Sequence, residues 1–104
     1  MYISAYVLEK GAVPINPFMQ FDYYLADLVD RDVIREANNN LVKRSDELWT
    51  FGPISNGVLA EVKVAHEAGK LVKYFAVDLK NNIIEASKET IEMEADISTL
   101  RHLL

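Results

Sequence analysis

The residues best placed to do chemistry lie between Thr50 and Glu61. The stretch Thr50-Phe51-Gly52-Pro53-Ile54-Ser55-Asn56-Gly57 gathers two glycines, a proline, two hydroxyls and an amide just before an apparent helix. Backbone N–H groups at such a helix start can hold an anion or the polar edge of a ligand. Glu61 follows four residues after Gly57, one turn further in. From there its carboxylate can share the cleft as a nucleophile or a hydrogen-bond acceptor. The same residues also suit a plainer role, with Gly52-Pro53 and Gly57 as turn residues and Glu61 as a solvated acid on a helix face. Upstream, Asn16-Pro17 ends another apparent strand, and Asp22, Tyr23 and Tyr24 follow closely enough to cover a ligand. As packing aromatics the two tyrosines need none.

Other chemistries lack their residues. There is no GxGxxG and no GxxxxGK[ST], hence no dinucleotide fingerprint or Walker loop. HExxH and a serine nucleophile elbow are missing too. The chain has no cysteine and two histidines, His66 and His102, which excludes a disulfide scaffold and a thiolate zinc site and leaves no metal-ligand cluster. No metal and no cofactor is expected. Both histidines sit beside apolar helix positions and read as packed or surface residues. Trp49 reads as core or interface, and Asp30-Arg31-Asp32 with Arg35 as a charged helix face.

Elements must position these groups. Residues 2–10 read as a short helix closed by Gly11, and 12–15 as a short strand, an edge strand because it contains Pro14. Residues 20–44 carry apolar side chains at three- and four-residue spacing and read as a long helix, although Asn38-Asn39-Asn40 is unusual inside one. ELWTF at 47–51 reads as a strand, 58–68 as a helix closed by Gly69, and 71–77 as the next strand. Asp78 to Asn82 turn the chain into a short edge strand at 83–86. Ser87 then caps an expected last helix, 88–103, whose Met93, Ile97, Leu100 and Leu104 form a stripe that must be buried. Strands alternating with helices imply a three-layer α/β fold with a mostly parallel, Rossmann-like sheet. Ligands of such sheets bind beyond the carboxyl ends of the strands, where the 51–57 loop lies.

Composition bounds the rest. The 104 residues suit one domain, 1–104, with half its residues hydrophobic and a net charge of −5. Residues 1–50 hold five Lys/Arg against eight Asp/Glu, and 51–104 hold six against eight. Neither half offers a basic field for a nucleic-acid polymer. No apolar run reaches a membrane span, and the amino terminus lacks the pattern of a signal peptide, so a cytoplasmic protein is expected.

Three pieces in order, GAVPINPF at 11–18, Ser45-Asp46-Glu47-Leu48-Trp49, and FGPISNGVLAEVKVAHEAGKLVKYF at 51–75, resemble the nucleoside 2-deoxyribosyltransferase-like superfamily, in particular its small uncharacterised prokaryotic and phage members. The resemblance spans residues 3–77. It implies a doubly wound α/β sheet in which a carboxylate attacks C1′ of a 2′-deoxynucleoside and displaces the base. The nucleophile's match is Glu61, and the loop glycine's match is Gly57. Asn16, Asp22, Phe51, Gly52, Ser55, Asn56 and Gly57 are the expected ligand contacts. The enzymes carry Asp-Ser-Gly where this chain reads Ser55-Asn56-Gly57, so a carboxylate that binds substrate is replaced by Ser55. Asp46 matches an acidic residue whose role is nearer structure than chemistry. Relative to the superfamily the chain starts inside the helix that follows the first strand, so that strand is expected to be absent. The resemblance also implies a homo-oligomer, a dimer, whose neighbour completes the pocket. Three functions stay open: an enzyme acting on the N-glycosidic bond of a nucleoside or nucleotide, a non-catalytic nucleotide sensor, and a structural or interaction protein that keeps the fold without the site.

Overall fold

A computed structural model describes residues 2–14 and 31–104. Helix α1 (Tyr2–Glu9) is followed by helix α2 (Arg31–Arg44), strand β1 (Glu47–Phe51), helix α3 (Asn56–Glu67), strand β2 (Leu71–Val77), strand β3 (Ile83–Ala86) and a 3-10 segment (Ala95–Leu103). Helices α1 and α3 end the same way. Gly11 and Gly69 take positive φ of 82° and 71°, which an L side chain rarely adopts. The N–H after each glycine then reaches back to an orphan helix carbonyl, Ala12 to Val7 at 3.2 Å and Lys70 to Ala65 at 2.9 Å. At the other end of α3, Ser55 is the N-cap, its Oγ accepting from the Val58 N–H at 3.2 Å. Leu59, Val62 and Ala65, three residues apart, are the buried stripe of α3.

The sheet has the order β1-β2-β3. β1 and β2 pair in parallel, with Thr50 opposite Tyr74, and β2 and β3 pair antiparallel, with Tyr74 opposite Ala86. The expectation of a mostly parallel, three-layer Rossmann-like sheet is therefore corrected. The reason lies in the link between β2 and β3. A parallel neighbour needs a crossover of a dozen or more residues, and only five separate these strands. Those five form a tight turn. Asp78 Oδ1 accepts from the N–H groups of Lys80 and Asn82, each at 2.8 Å, and Asn81 sits at φ 64°. The expected strand at 12–15 is corrected as well. Ala12 to Pro14 take no regular structure, and Ile15 lies outside the described residues.

Strand alternation divides the side chains between two faces. Leu48, Thr50, Val72, Tyr74 and Ala86 point toward α3 and the carboxyl-terminal segment, where Ile54, Leu59, Val62, Ile91, Met93, Ile97 and Leu104 complete the core. Burying a side chain of this size stabilises by about 1.5–3 kcal/mol, so this cluster dominates folding. On the opposite face Phe75 is stacked on Phe51 at 4.9 Å and meets Trp49 at 5.2 Å. Tyr6 of α1 closes on both phenylalanines edge-on, at 5.5 and 6.2 Å.

The expected helix over 88–103 does not form. Ser87 heads a single turn, its carbonyl accepting from Thr90 and Ile91, and its own N–H is taken by Thr90 Oγ1. The chain then runs extended. Ile91 and Met93 are buried while Glu92 and Glu94 are exposed, a period of two. Ile54 forms an isolated parallel bridge with Met93, through Ile54 N–H to the Glu92 carbonyl at 2.9 Å and Glu94 N–H to the Ile54 carbonyl at 3.0 Å. Helical 3-10 turns begin only at Ala95. Of the stripe, Met93, Ile97 and Leu104 are buried and Leu100 is partly buried against them, but not on an α-helix. Of the expected helix over 20–44, the described part is α2. No helix among the described residues is long and apolar enough to cross a membrane.

Candidate functional site

β1 is an edge of the sheet among the described residues, and a cavity of about 700 Å³ runs beside it. One wall is α1 with the chain that follows it, from Ile3 to Pro14. The other is the end of α2, with Leu41, Val42 and Arg44. β1 supplies the floor through Glu47, Leu48, Trp49 and Phe51, and Glu61 enters from α3. The sequence builds this corner locally. Ser45 stops α2, its Oγ donating to the Leu41 carbonyl at 2.8 Å, so that Asp46 and β1 follow at once. Volumes of several hundred cubic ångströms with mainly apolar walls and a few polar groups are those of small-molecule sites.

The electrostatics are uneven. Among the described lining residues Arg44 is the one cation, against Asp46, Glu47 and Glu61. Glu47 already accepts from the Trp49 indole N–H at 2.8 Å and lies 3.9 Å from Lys73 Nζ. That ammonium also sits 5.1 Å from the centre of the Trp49 ring. Glu61 is half-buried, and its carboxyl is pushed above the usual carboxylate range by burial. A hydrogen bond from the Asn38 side chain on α2 works in the opposite direction and favours the ionised form. The wall thus combines an aromatic shelf with a carboxyl that changes charge at a higher pH than a solvated glutamate.

The expected site residues divide sharply. Phe51 and Glu61 line the cavity. Gly52, Ser55, Asn56 and Gly57 lie outside its lining. Their loop spends its backbone groups on the protein itself. Gly52 N–H donates to the Phe75 carbonyl at 2.8 Å, Ile54 is held by the 92–94 segment, and Ser55 takes the Val58 N–H. Gly57 has open space beside it, since an added Cβ would meet only Ser55 Oγ at 4.0 Å. Asn16, Asp22, Tyr23 and Tyr24 lie outside the described residues. His66 and His102 are exposed. Trp49 and Asn38 were not singled out as site residues from sequence, although the asparagine run was a visible irregularity.

A family model covers residues 1–75. The chain belongs to the family described as Domain of unknown function (DUF7768). Every described lining residue of the cavity falls inside the part that the DUF7768 model matches, whereas β3 and the segment carrying Ile91, Met93, Ile97 and Leu104 fall outside it. No curated protein and no solved structure matches the chain.

Proposed function

We propose that this DUF7768 domain binds a nucleoside or nucleotide in the cavity beside β1 and that Glu61 acts at the N-glycosidic bond. The observation that carries this reading is the Glu61 carboxyl in the wall of a cavity large enough for such a ligand. Trp49 and Phe51 offer flat apolar surface to a base, and the carboxyl is a partner for sugar hydroxyls. The resemblance to deoxyribosyltransferase-like proteins supports the same assignment of Glu61. As the C1′–N bond breaks, its electron pair leaves with the base and positive charge develops on the sugar. A carboxylate within reach stabilises that charge or bonds to C1′; water then adds at C1′ to give the free sugar, displacing Glu61 where it has bonded, and the departing base takes its proton from water. Among the described lining residues, three carboxylates against one guanidinium favour an unphosphorylated ligand.

A sensor that binds without cleaving is the second reading. It is favoured by Ser55, which stands where the resembled enzymes carry a carboxylate and is occupied as a helix cap. Incubation with a panel of nucleosides and nucleotides, followed by chromatography for free base, separates the two. The expected outcome for the enzyme is base release that disappears in Glu61→Ala. Calorimetric binding without release would leave the sensor, and neither binding nor release would remove both readings. The proposed homodimer is checked by light scattering on the eluting protein.

A further inference from the structure

Among its described lining residues the cavity beside β1 sets three acids against one cation, and a second depression reverses that balance. The second has a volume of about 310 Å³ and is lined by Lys88, Glu89, Arg101, His102 and Leu104. It shares no described lining residue with the first and lies wholly outside the part that the DUF7768 model matches. Lys88 and Glu89 come from the single turn that Ser87 heads after β3. Arg101 and His102 come from the last turn of the 3-10 segment, with Leu104 just beyond it.

Both walls are fixed by the fold. The Ser87 carbonyl accepts from the N–H groups of Thr90 at 3.1 Å and Ile91 at 2.9 Å, and Ile91 is anchored in the core. Leu104 belongs to the same core, and its N–H donates to the Arg101 carbonyl at 3.1 Å. One bond joins the walls directly, Arg101 Nη1 donating to the Lys88 carbonyl at 2.9 Å. That bond uses one guanidinium N–H and leaves the rest for a ligand. A guanidinium already tethered also loses less freedom when it binds. Among the described residues no carboxylate, Glu89 included, comes within ion-pair distance of Lys88, Arg101 or His102. The chain holds 16 Asp and Glu against 11 Lys and Arg, yet the fold brings these basic side chains together without pairing them.

We propose that this depression binds a phosphate group, with Arg101 and Lys88 as its charged donors and His102 as a further N–H donor. Like charges held together repel, and a bound anion turns that repulsion into attraction. A phosphate presents its oxygens in several directions, which suits donors that converge from two segments. A carboxylate is planar, carries a single charge and engages fewer of them. Glu89 is the one acid of the lining, and it sets the affinity lower than the cations alone would. The proposal does not depend on the function assigned to Glu61.

The full chain is titrated with inorganic phosphate at constant ionic strength and followed by amide and arginine side-chain NMR signals. Saturable shifts are expected at Lys88, Arg101 and His102. Shifts that do not saturate, or that are as large at the exposed Lys63 and Lys80, mark general charge screening and would overturn the proposal. Lys88→Gln is expected to weaken binding about tenfold, through loss of one charge-assisted contact. Arg101→Gln should weaken it at least as much. Where that variant does not fold, Lys88→Gln carries the test, because it keeps the carbonyl that Arg101 uses. Glu89→Gln should tighten binding about threefold by removing a repulsion. Unmoved affinities in Lys88→Gln and Glu89→Gln would put the ion elsewhere and overturn the site. Methyl phosphate and acetate distinguish the sources of the anion. Methyl phosphate binding as tightly as inorganic phosphate identifies the end of a phosphomonoester, and weaker binding identifies free phosphate. Acetate binding as tightly as either would overturn the assignment to phosphate.

Discussion

Around Ile54 and Ile91 the molecule is sealed, and around Trp49 and Glu61 it is open. The two regions share strand β1 and differ in what their side chains are for. On the sealed side Ile54, Val62 and Ile91 are at most 1% exposed, and the carboxyl-terminal segment closes over them. The polar atoms trapped there are neutral hydroxyls, Thr50 Oγ1 and Tyr74 Oη, buried without partners. Burial also pushes the Tyr74 phenol above its ordinary value. On the open side the half-buried group is a carboxyl, that of Glu61, next to a cavity. An unpaired buried hydroxyl costs about 1–3 kcal/mol, and desolvating a carboxylate costs more. The first region is accounted for by packing alone. The second is not, because a half-buried carboxyl adds nothing to packing.

The largest expected effect tests the sealed side. Ile54→Ala leaves a cavity under the bridge to Met93 and is expected to cost about 2–5 kcal/mol. Leu41→Ala, on the wall of an existing cavity, should cost clearly less because fewer neighbours are lost. Chemical denaturation of both variants is the measurement. Equal losses would erase the distinction between the two regions.

Much of the sealed side was legible in the sequence. Strands β1, β2 and β3 fall on the expected residues, and the stripe of α3 is one that three-residue spacing announces. The direction of β3 was legible in principle from the five-residue turn held by Asp78, but the alternation of strands and helices outweighed it. The false helix over 88–103 has a clear origin. Met93, Ile97, Leu100 and Leu104 repeat at spacings of four, three and four, and that pattern also fits an extended stretch running into 3-10 turns. The alternation of buried Ile91 and Met93 with exposed Glu92 and Glu94 is too short to win over a longer periodic signal. On the open side Glu61 was visible through its spacing from Gly57. Its surroundings were not, because α1, α2 and the edge of β1 meet there only through contacts distant in sequence.

Thr50→Val sharpens the comparison from within the core. The substitution keeps the shape and removes the unpaired hydroxyl, so a gain of about 1 kcal/mol is expected. Tyr74→Phe should act in the same direction. A loss in both would mean that the hydroxyls are satisfied and that the sealed side contains its own polar network. Denaturant midpoints at constant slope decide it.

Glu61→Gln should have the smallest effect on stability, and its pH dependence matters more than its size. Burial raises the carboxyl above its unfolded value, so the folded protein binds the proton more tightly than the unfolded chain. Stability is therefore highest below the unfolded value and falls as the pH rises through the folded one. Glutamine avoids that fall. The thermal midpoint of Glu61→Gln should exceed that of the wild type at pH 7, by less than the gain in Thr50→Val. The gap should close in acid, where both side chains are neutral. A variant less stable than the wild type at pH 7 would show that ionised Glu61 stabilises the fold. Glu61 would then belong with the packing residues, and the contrast between the two sides of β1 would no longer mark a functional site.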